Sequence, residues 1–380
     1  MKTNSRKRIA LLSVTMAAML ICVFAVASAL LVSAADTNVT ADFTENSDPA
    51  TDYAYSFAVV GDTQKLVYND TYFGTDYTSY IYDWIVQNKK SKKIELVMGL
   101  GDITDKDGVD QTADDGIDQT DLEWDIAVEQ HAKLENAGIP YTLVRGNHDT
   151  VAKLDEDFAA NPNFTGGEIG YYDGTSLGNY YMKFTIGGHK YMVFVFAFGP
   201  HNDILTWASG EIAANPDYKV ILTTHAYMYK DGTTLDANNS VPPRKASYTS
   251  SRNNGNDIWY KLASQHENII MVLSGHDPSN NIVWRSDLGD NGNTVAQFLI
   301  DPQGLDAKEN YKTGMVAMFY FSADGSRVEV EYVSTYHSLE NKKEYVYNED
   351  VNCFEFTIPE KVEMTPVATE NYGEIGRAHV

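Results

Sequence analysis

The sequence predicts a layered α/β fold, in which two sheets are each covered by helices and pack face to face. In the first half of the chain, short apolar runs alternate with helical patterns, which is typical of α/β proteins. From Asn179 onward most strands follow one another without long helices between them, which indicates a second half. The 380 residues are 43% hydrophobic, so the chain can form one large domain with a sizeable core.

The first half is predicted to contain three strands and two helices. The strands lie at 55–60, 94–98 and 141–144, and the helices at 77–87 and 121–137. The first helix is indicated by Tyr80, Ile81, Trp84 and Ile85, which recur at helical spacing. The strand at 141–144 runs into Gly146-Asn147, so it is predicted to be a buried strand that ends in a tight turn.

The second half is predicted to begin with a β-hairpin, because two apolar runs flank Gly187-Gly188. The hairpin strands lie at 180–186 and 190–198. Further strands are predicted at 219–224, 269–273, 282–285, 294–300, 315–321 and 327–333, and helices at 204–214 and 257–265.

Residues 1–35 are predicted to be a signal peptide or an N-terminal membrane anchor. A basic start precedes an almost wholly apolar run from Ile9 to Val32, and small residues follow it at a position suited to cleavage. The run is also long enough to span a bilayer uncleaved. Both alternatives place the rest of the chain outside the cell. We therefore expect a secreted or cell-surface protein.

Two cysteines also bear on location. Cys22 lies in the apolar segment, so Cys353 is left alone and no internal disulfide is expected in the exported part. A large exported domain without a disulfide fits the surface of a Gram-positive-type bacterium.

The formal net charge of −24 narrows the range of partners. Such an acidic chain repels nucleic acid and anionic membranes, so neither is expected to bind through bulk charge. Membrane contact is expected only through the N-terminal segment, if that segment is not cleaved. Polyanionic substrates are repelled too, unless cations sit in the site.

An acidic insertion lies between 105 and 121. Asp107–Asp114 is nearly repeated as Asp115–Leu122. The spacing of Asp105 and Asp107 is similar to that of a calcium loop, but the glycine position and the closing glutamate of an EF-hand are absent. A solvated acidic loop is the favoured interpretation, and a calcium site is the alternative.

Five predicted strands end in residues that can bind a metal ion. These endings are Gly61–Gln64 (GDTQ), Gly101–Asp105 (GDITD), Gly146–Asp149 (GNHD), His225 and Gly275–Asp277 (GHD). Each ending alone is more simply a polar loop or a hydrogen-bonded histidine. Together, at the carboxyl ends of strands, they predict one metal centre at one edge of the sheets.

The order of these motifs resembles that of the calcineurin-like metallophosphoesterase superfamily, from about Tyr53 to His337. The resemblance implies a four-layer α/β/β/α sandwich with a metallophosphoesterase domain at 53–337. A polar linker at 36–52 precedes this domain, and a C-terminal extension at 338–373 follows it. Residues 374–380 (EIGRAHV) resemble the translation of a common sequencing adapter and are predicted not to be protein sequence.

The implied activity is hydrolysis of a phosphate mono- or diester by metal-bound hydroxide at a dinuclear centre. Hard oxygens and imidazoles suit Mn, Fe, Zn or Mg. Six metal ligands are implied: Asp62 and Gln64 for the first metal, Asp102 as the bridge, and Asn147, His225 and His276 for the second metal. His148 would be the proton donor to the leaving oxygen, and Asp149 would orient it.

Two departures from the family pattern concern the first metal. Gln64 stands where the family commonly has a histidine, and Pro278 stands where a second histidine of the GH motif is common. Asp277 is a candidate to replace the missing ligand, although adjacent residues on an extended strand point oppositely. The first metal is therefore expected to be bound more weakly, to be a harder ion (Mg or Mn rather than Fe or Zn), or to be partly ligated by water. The alternative function is a surface-binding or adhesion protein with one metal site eroded.

Other polar residues are weaker candidates. His201 and Asn202 follow a strand end and could line the site, but a loop role is favoured. Arg244, Lys245 or Arg252 could hold a substrate phosphate, but solvated loop charge is the simpler interpretation. A monomer that acts on a small or surface-bound phosphate ester is expected.

Overall fold

The computed structural model describes a single compact unit of the chain from Phe43 onward. The described residues are 43–105, 119–159, 167–238, 242–243 and 251–359. The predicted signal segment, most of the acidic insertion and the residues from 360 to the end lie outside the described residues, so the hypotheses that concern them are not addressed by the structure.

The first sheet carries three of the predicted strand ends. Among the described residues it has eight strands: β1 (Phe43–Glu45), β2 (Tyr55–Val60), β3 (Ile94–Gly99), β4 (Tyr141–Leu143), β12 (Met315–Phe321), β13 (Arg327–Ser334), β14 (Tyr345–Tyr347) and β15 (Phe354–Thr357). Their order is β1-β14-β13-β12-β2-β3-β4, and β15 pairs with β13. β2, β3 and β4 are parallel, whereas β12 is antiparallel to β2. All six residues of β2 are buried, as expected for a central strand covered on both faces.

The second sheet carries the other two of the five predicted strand ends. In the described part of the chain it has seven strands: β5 (Glu168–Tyr171), β6 (Asn179–Ile186), β7 (His189–Phe196), β8 (Lys219–Thr224), β9 (Ile269–Ser274), β10 (Val283–Leu288) and β11 (Thr294–Leu299). Their order is β10-β11-β9-β8-β7-β6-β5. β7, β8, β9 and β11 are parallel. The predicted hairpin joins β6 and β7, and Gly187 and Gly188 both have positive φ, as its tight turn requires.

Helices cover the outer faces of the sheets. Their bounds are α1 (Gln64–Phe73), α2 (Tyr77–Asn88), α3 (Gln119–Asn136), α4 (Val151–Leu154), α5 (Asn202–Ala214), α6 (Gly255–Ile258), α7 (Gln303–Lys308), α8 (Thr335–Asn341) and α9 (Glu349–Asn352). A π-helical turn continues α4 to Ala159, and another continues α6 to Ala263. The buried face of α5 packs on apolar residues of β7, β8 and β9. No helix in the described ranges is long and apolar enough to cross a bilayer.

Aromatic side chains join the inner faces of the two sheets. The Phe57 and Tyr191 rings meet edge to face at 5.3 Å, and the Phe298 and Phe319 rings do so at 5.1 Å. Such contacts stabilise a core beyond the area that they bury. The predicted arrangement of two mixed sheets flanked by helices is therefore confirmed.

Several elements were not predicted from the sequence. Helix α1 begins at Gln64 itself, so the GDTQ motif ends in a helix rather than in a loop. β1 pairs with β14, and β15 pairs with β13, so the first sheet includes residues from the predicted linker and the predicted C-terminal extension. The folded domain therefore extends beyond the predicted bounds 53–337 on both sides.

Candidate metal centre

Five strand ends bring the motif residues to one edge shared by the two sheets. β2, β3 and β4 lead into Asp62, Asp102 and Asn147, and β8 and β9 lead into His225 and His276. The carboxyl edge of parallel strands is where ligands of open α/β sheets bind. The two edges meet, because His225 Nε2 lies 3.2 Å from Asp102 Oδ2.

The backbone is in a sparsely populated conformation at two of these strand ends. Asp102 has φ of 47° and His276 has φ of 77°, values that a side chain with a Cβ atom seldom adopts. Such outliers cluster at functional sites. The motifs also approach one another too closely for larger residues, since a Cβ atom added to Gly146 would lie 2.1 Å from Asp102 Oδ1.

Four possible ligand atoms converge around the ring of His225. Its Nδ1 donates to the Leu100 carbonyl at 2.9 Å, so Nε2 carries the lone pair of the neutral ring. This Nε2 lies 3.2 Å from Asp102 Oδ2, 3.1 Å from Asn147 Oδ1 and 3.2 Å from His276 Nδ1. Such spacings suit atoms that share a cation at about 2.0–2.2 Å. The implied ligands of the second metal are thus brought together.

Asp62 and Gln64 also lie near Asp102 and His225. Asp62 is buried and accepts the backbone N–H of His276 at 3.2 Å. The Gln64 side chain donates from Nε2 to Asp102 Oδ2 at 3.1 Å. Its buried Oε1 has no hydrogen-bond donor among the described residues. This amide oxygen is therefore placed to face a cation.

Asp301 is a member of this group that the sequence reasoning missed. It follows β11 and is fully buried. Its Oδ1 accepts the backbone N–H of Gln303, and its carboxyl group lies against that of Asp62. Gln303 also reaches the group, since its Nε2 donates to Asp62 Oδ2 at 3.3 Å. The signal was present in the sequence, because a strand was predicted to end directly before Asp301.

The electrostatics of the centre favour bound cations. Burial, followed by the nearby Asp301 and Asp102, raises the pKa of Asp62 well above its usual range. Burial also raises the pKa of Asp301 to about 7. Asp102 differs: burial raises its pKa, but the His225 and His148 rings oppose this and lower it to about 2. Several carboxyl groups are thus crowded in a buried space, where divalent cations would compensate them.

The residues present therefore fit two divalent cations. One group has lone pairs from His225, His276 and Asn147, and the other has oxygens from Asp62 and Gln64, with Asp102 between them. The first group matches the mixed nitrogen and oxygen sites of transition metals, and the second matches harder cations. Among the described residues, the ligand atoms of Asp102, His225 and His276 all lie within 4.8 Å of one another.

His148 lies beside the metal ligands at the surface of the site. Its backbone N–H donates to Asp102 Oδ1 at 2.9 Å, and its ring Nδ1 lies 2.9 Å from the Asp105 carbonyl oxygen. The Nδ1–H must therefore be the donor, which leaves Nε2 for a ligand. The side chain is 38% exposed, so a substrate can reach it. The Asp105 carboxylate, 3.8 Å from the ring and paired with Lys65, adds negative charge nearby.

Asp149 does not orient His148, so that prediction was wrong about its partner. The buried carboxylate of Asp149 accepts backbone N–H groups of Ile103 at 2.9 Å, Thr104 at 3.0 Å and Gly146 at 2.8 Å. Asp149 therefore fastens the GNHD turn to the GDITD loop. The reason is geometric: the backbone of both loops curls around the carboxylate, whereas the His148 ring points toward Asp105.

The two residues after His276 do not supply a ligand. The idea that Asp277 replaces the missing histidine is wrong, because its Oδ2 accepts the backbone N–H of Lys230 at 2.7 Å. Pro278 is exposed and lies beside the first turn of α7, where a Cβ atom on Gly304 would be 3.7 Å from it.

The weaker candidates lie outside the cluster or outside the described residues. His201 is exposed at the N-terminus of α5, and Asn202 contacts Lys261, so both have the loop roles that were favoured. The Arg252 guanidinium donates to the Phe198 carbonyl, and the Phe198 ring packs on His276 at 5.0 Å. Arg244 and Lys245 lie outside the described residues, as does the possible calcium site beyond Asp105.

A family model and a curated relative match this chain. The model of one family, described as calcineurin-like phosphoesterase, matches residues 55–280. The uncharacterized protein YvnB of Bacillus subtilis (strain 168) is 27% identical over 328 residues. That alignment covers 82% of this chain but 22% of YvnB, so the chain spans about a fifth of the length of this relative.

Solved structures of phosphatases are similar to this chain. A dimetal phosphatase from Danio rerio shares 13% identity with a TM-score of 0.49, and the match covers 81% of this chain and all of that one. The purple acid phosphatase PPD1 from yellow lupin (Lupinus luteus) shares 12% identity with a TM-score of 0.45, covering 82% of this chain and 54% of that one.

Proposed function

Because the chain belongs to the calcineurin-like phosphoesterase family, we propose that it is an exported hydrolase that cleaves a phosphate mono- or diester with two divalent cations bound at the shared sheet edge. The observation that carries this proposal is the convergence of possible ligand atoms on His225 Nε2, with the partly exposed His148 ring beside them. Members of the family are metallophosphoesterases, so the reaction class follows from membership, and the substrate and the number of cations are proposed.

Each cation would be held by a different part of the cluster. Asn147, His225 and His276 would hold one, Asp62 and Gln64 would hold the other, and Asp102 would contact both. The chemistry that two divalent cations supply when bound is polarisation of the phosphoryl group and a lowered pKa of bound water. Gln64 contributes the oxygen of a neutral amide, which adds a ligand without adding further negative charge.

His148 would deliver the proton to the leaving oxygen. The Asp105 carbonyl fixes Nδ1–H, so the proton to be given up is the one on Nε2 of the charged ring. Because Asp149 fastens the turn that carries His148, the ring keeps its position relative to Asp102.

The alternative of a surface-binding protein on the same fold is not favoured. Binding alone needs neither a cluster of metal ligands nor an exposed imidazole held by a backbone carbonyl next to that cluster. Both features are present among the described residues. They serve a reaction in which a leaving oxygen takes up a proton.

The location proposal is supported by the N-terminal sequence. A basic start and an apolar run to Val32 are features of segments that direct the following chain across a membrane. We expect the protein in the culture medium or on the outer cell surface as a monomer. Protease treatment of intact cells that express the full chain should remove it. If the protein stays with the cells and the protease does not digest it, this result would contradict export.

The proposed activity is tested with the purified full chain and added Mn²⁺. We expect turnover of p-nitrophenyl phosphate, bis(p-nitrophenyl) phosphate or both, loss of turnover in EDTA, and recovery when Mn²⁺ is restored, since the ligand cluster needs cations. The relative rates on the two substrates assign the protein as a mono- or diesterase. Absence of turnover on both substrates with each of Mn, Mg, Zn, Fe and Co would contradict the proposal.

A further inference from the structure

Asp301 lies next to the position where the second histidine of the GH motif is missing. β9 and β11 are parallel neighbours, and the pairing continues beyond them: Ile300 N–H donates to the Ser274 carbonyl at 2.8 Å. At the next residue after Ile300, the Asp301 carbonyl accepts the Ser279 N–H at 2.9 Å. Asp301 is thus held directly beside the loop that contains His276 and Pro278.

The Asp301 carboxyl group faces another carboxyl group in a buried place. Asp301 is fully buried and Asp62 is 1% exposed, and the two groups lie within hydrogen-bonding reach of each other. Asp301 Oδ1 accepts the Gln303 N–H at 3.0 Å, whereas Oδ2 has no donor among the described residues. Two carboxylates cannot donate to each other, so a cation or a shared proton must lie between them.

The surrounding side chains supply no such cation. Within the described ranges, no lysine or arginine forms an ion pair with Asp62 or Asp301. The nearest imidazole to Asp62 is the His225 ring, whose Nδ1 is 3.8 Å away and already donates to Leu100. The Gln303 amide donates to Asp62 Oδ2, and Asp301 Oδ2 is the oxygen of the pair that has no donor among the described residues. The arrangement therefore has the charge and the orphaned oxygen expected of a metal site.

We propose that Asp301 is a ligand of the first cation and takes the part of the histidine that Pro278 replaces. This inference rests on the proposed function, because it concerns one of the two cations proposed there. The first cation would then be held by oxygens alone, from Asp62, Gln64, Asp102 and Asp301. Oxygen ligands favour Mg²⁺ or Mn²⁺, whereas the imidazoles of His225 and His276 favour softer metals at the second position.

Asp301→Asn tests the proposal, with Asp306→Asn as the matched control. Asn keeps the shape and the acceptor for the Gln303 N–H but removes the charge. Asp306 is equally buried, lies five residues further along and accepts from the Thr313 hydroxyl. Stripped full-length proteins are titrated with Mn²⁺ by calorimetry, and bound metal is counted by elemental analysis. We expect two ions in the wild type and in D306N, but one tight ion in D301N, with the other weakened by at least about 100-fold.

Thermal melting is a second measurement, and it distinguishes a metal ligand at position 301 from a purely structural carboxylate. In chelator, D301N should melt at or above the wild-type temperature, because one of two adjacent buried carboxylates has been neutralised. Added Mn²⁺ should raise its melting temperature by less than that of the wild type, because a ligand stabilises the folded state more when it binds more tightly.

The outcomes separate this inference from the proposed function. Two ions of wild-type affinity in D301N would overturn the inference while leaving the phosphoesterase proposal intact. Failure of D301N to fold in chelator, or equal ion loss in D306N, would also overturn it, because the carboxylate would then be structural. A wild-type protein that binds no metal and shows no turnover would instead overturn the proposed function.

Discussion

Replacement of His148 by alanine is expected to lower kcat by about 10²- to 10⁴-fold, the usual contribution of a general acid. The ring lies at the surface of the cluster, with Nδ1 on the Asp105 carbonyl and Nε2 left for a leaving oxygen. The backbone N–H of residue 148, which donates to Asp102, is unchanged by the substitution. Metal content should therefore stay at the wild-type value, and steady-state kinetics with elemental analysis measures both.

A comparison of two leaving groups distinguishes proton donation by His148 from simple positioning of the substrate. Loss of a general acid should slow an alkyl phosphate ester far more than a p-nitrophenyl ester, since p-nitrophenolate departs without a proton. His201→Ala is the matched control, because His201 is an exposed histidine at the start of α5, outside the cluster. Equal losses on both leaving groups would argue against the proton-donor role, as would wild-type rates in H148A.

Asp102→Asn is expected to remove most bound metal and to lower kcat/KM by on the order of 10³-fold or more, equivalent to about 4 kcal/mol. Asp102 lies between the two ligand groups, with Oδ2 near both Gln64 Nε2 and His225 Nε2. Asparagine keeps the size of the side chain but cannot neutralise two cations. Because asparagine also tolerates positive φ, the turn at Asp102 should survive. Bound metal per chain and kcat/KM are measured.

Asp102→Ala serves as the companion variant and separates charge from backbone strain. Alanine lacks the local hydrogen bonding that helps asparagine at φ of 47°, so D102A should be less stable than D102N by about 1 kcal/mol. Both variants should lose metal to the same extent. Urea unfolding in chelator measures the stability difference. Retention of two ions by D102N would mean that Asp102 does not bridge the cations.

The predicted contact between Asp149 and His148 shows a limit of prediction from the sequence. The GNHD motif placed both residues in one turn, and the family resemblance implied that Asp149 orients His148. In the structure the Asp149 carboxylate is enclosed by backbone N–H groups from two loops, and the ring of His148 turns to Asp105 instead. Side-chain direction in a tight turn depends on the loop packed against it, which the motif does not describe.

Helix α1 was missed for a local reason. Its sequence from Gln64 to Phe73 includes Asn69, Asp70 and Thr71, which have low helix propensity. The helix forms because Leu66 and Val67 are buried and Gly74 closes it in the left-handed conformation. Its start at Gln64 turns the amide toward Asp102, so a missed helix affected the interpretation of the site.

The sequence by itself determined the layered fold and the strand ends that carry metal ligands, because apolar periodicity and strand-terminating glycines are local properties of the chain. Through the family resemblance it also predicted that Gln64 and Pro278 stand where histidines of the first metal are common. Only the tertiary structure brings Asp301 and Gln303 next to Asp62. Gln303 Nε2 donates to Asp62 Oδ2, and these two residues are 241 positions apart in the sequence. That meeting depends on β11 pairing beside β9 and on two sheet edges closing together, and strand order across two sheets is a long-range property that no local pattern encodes.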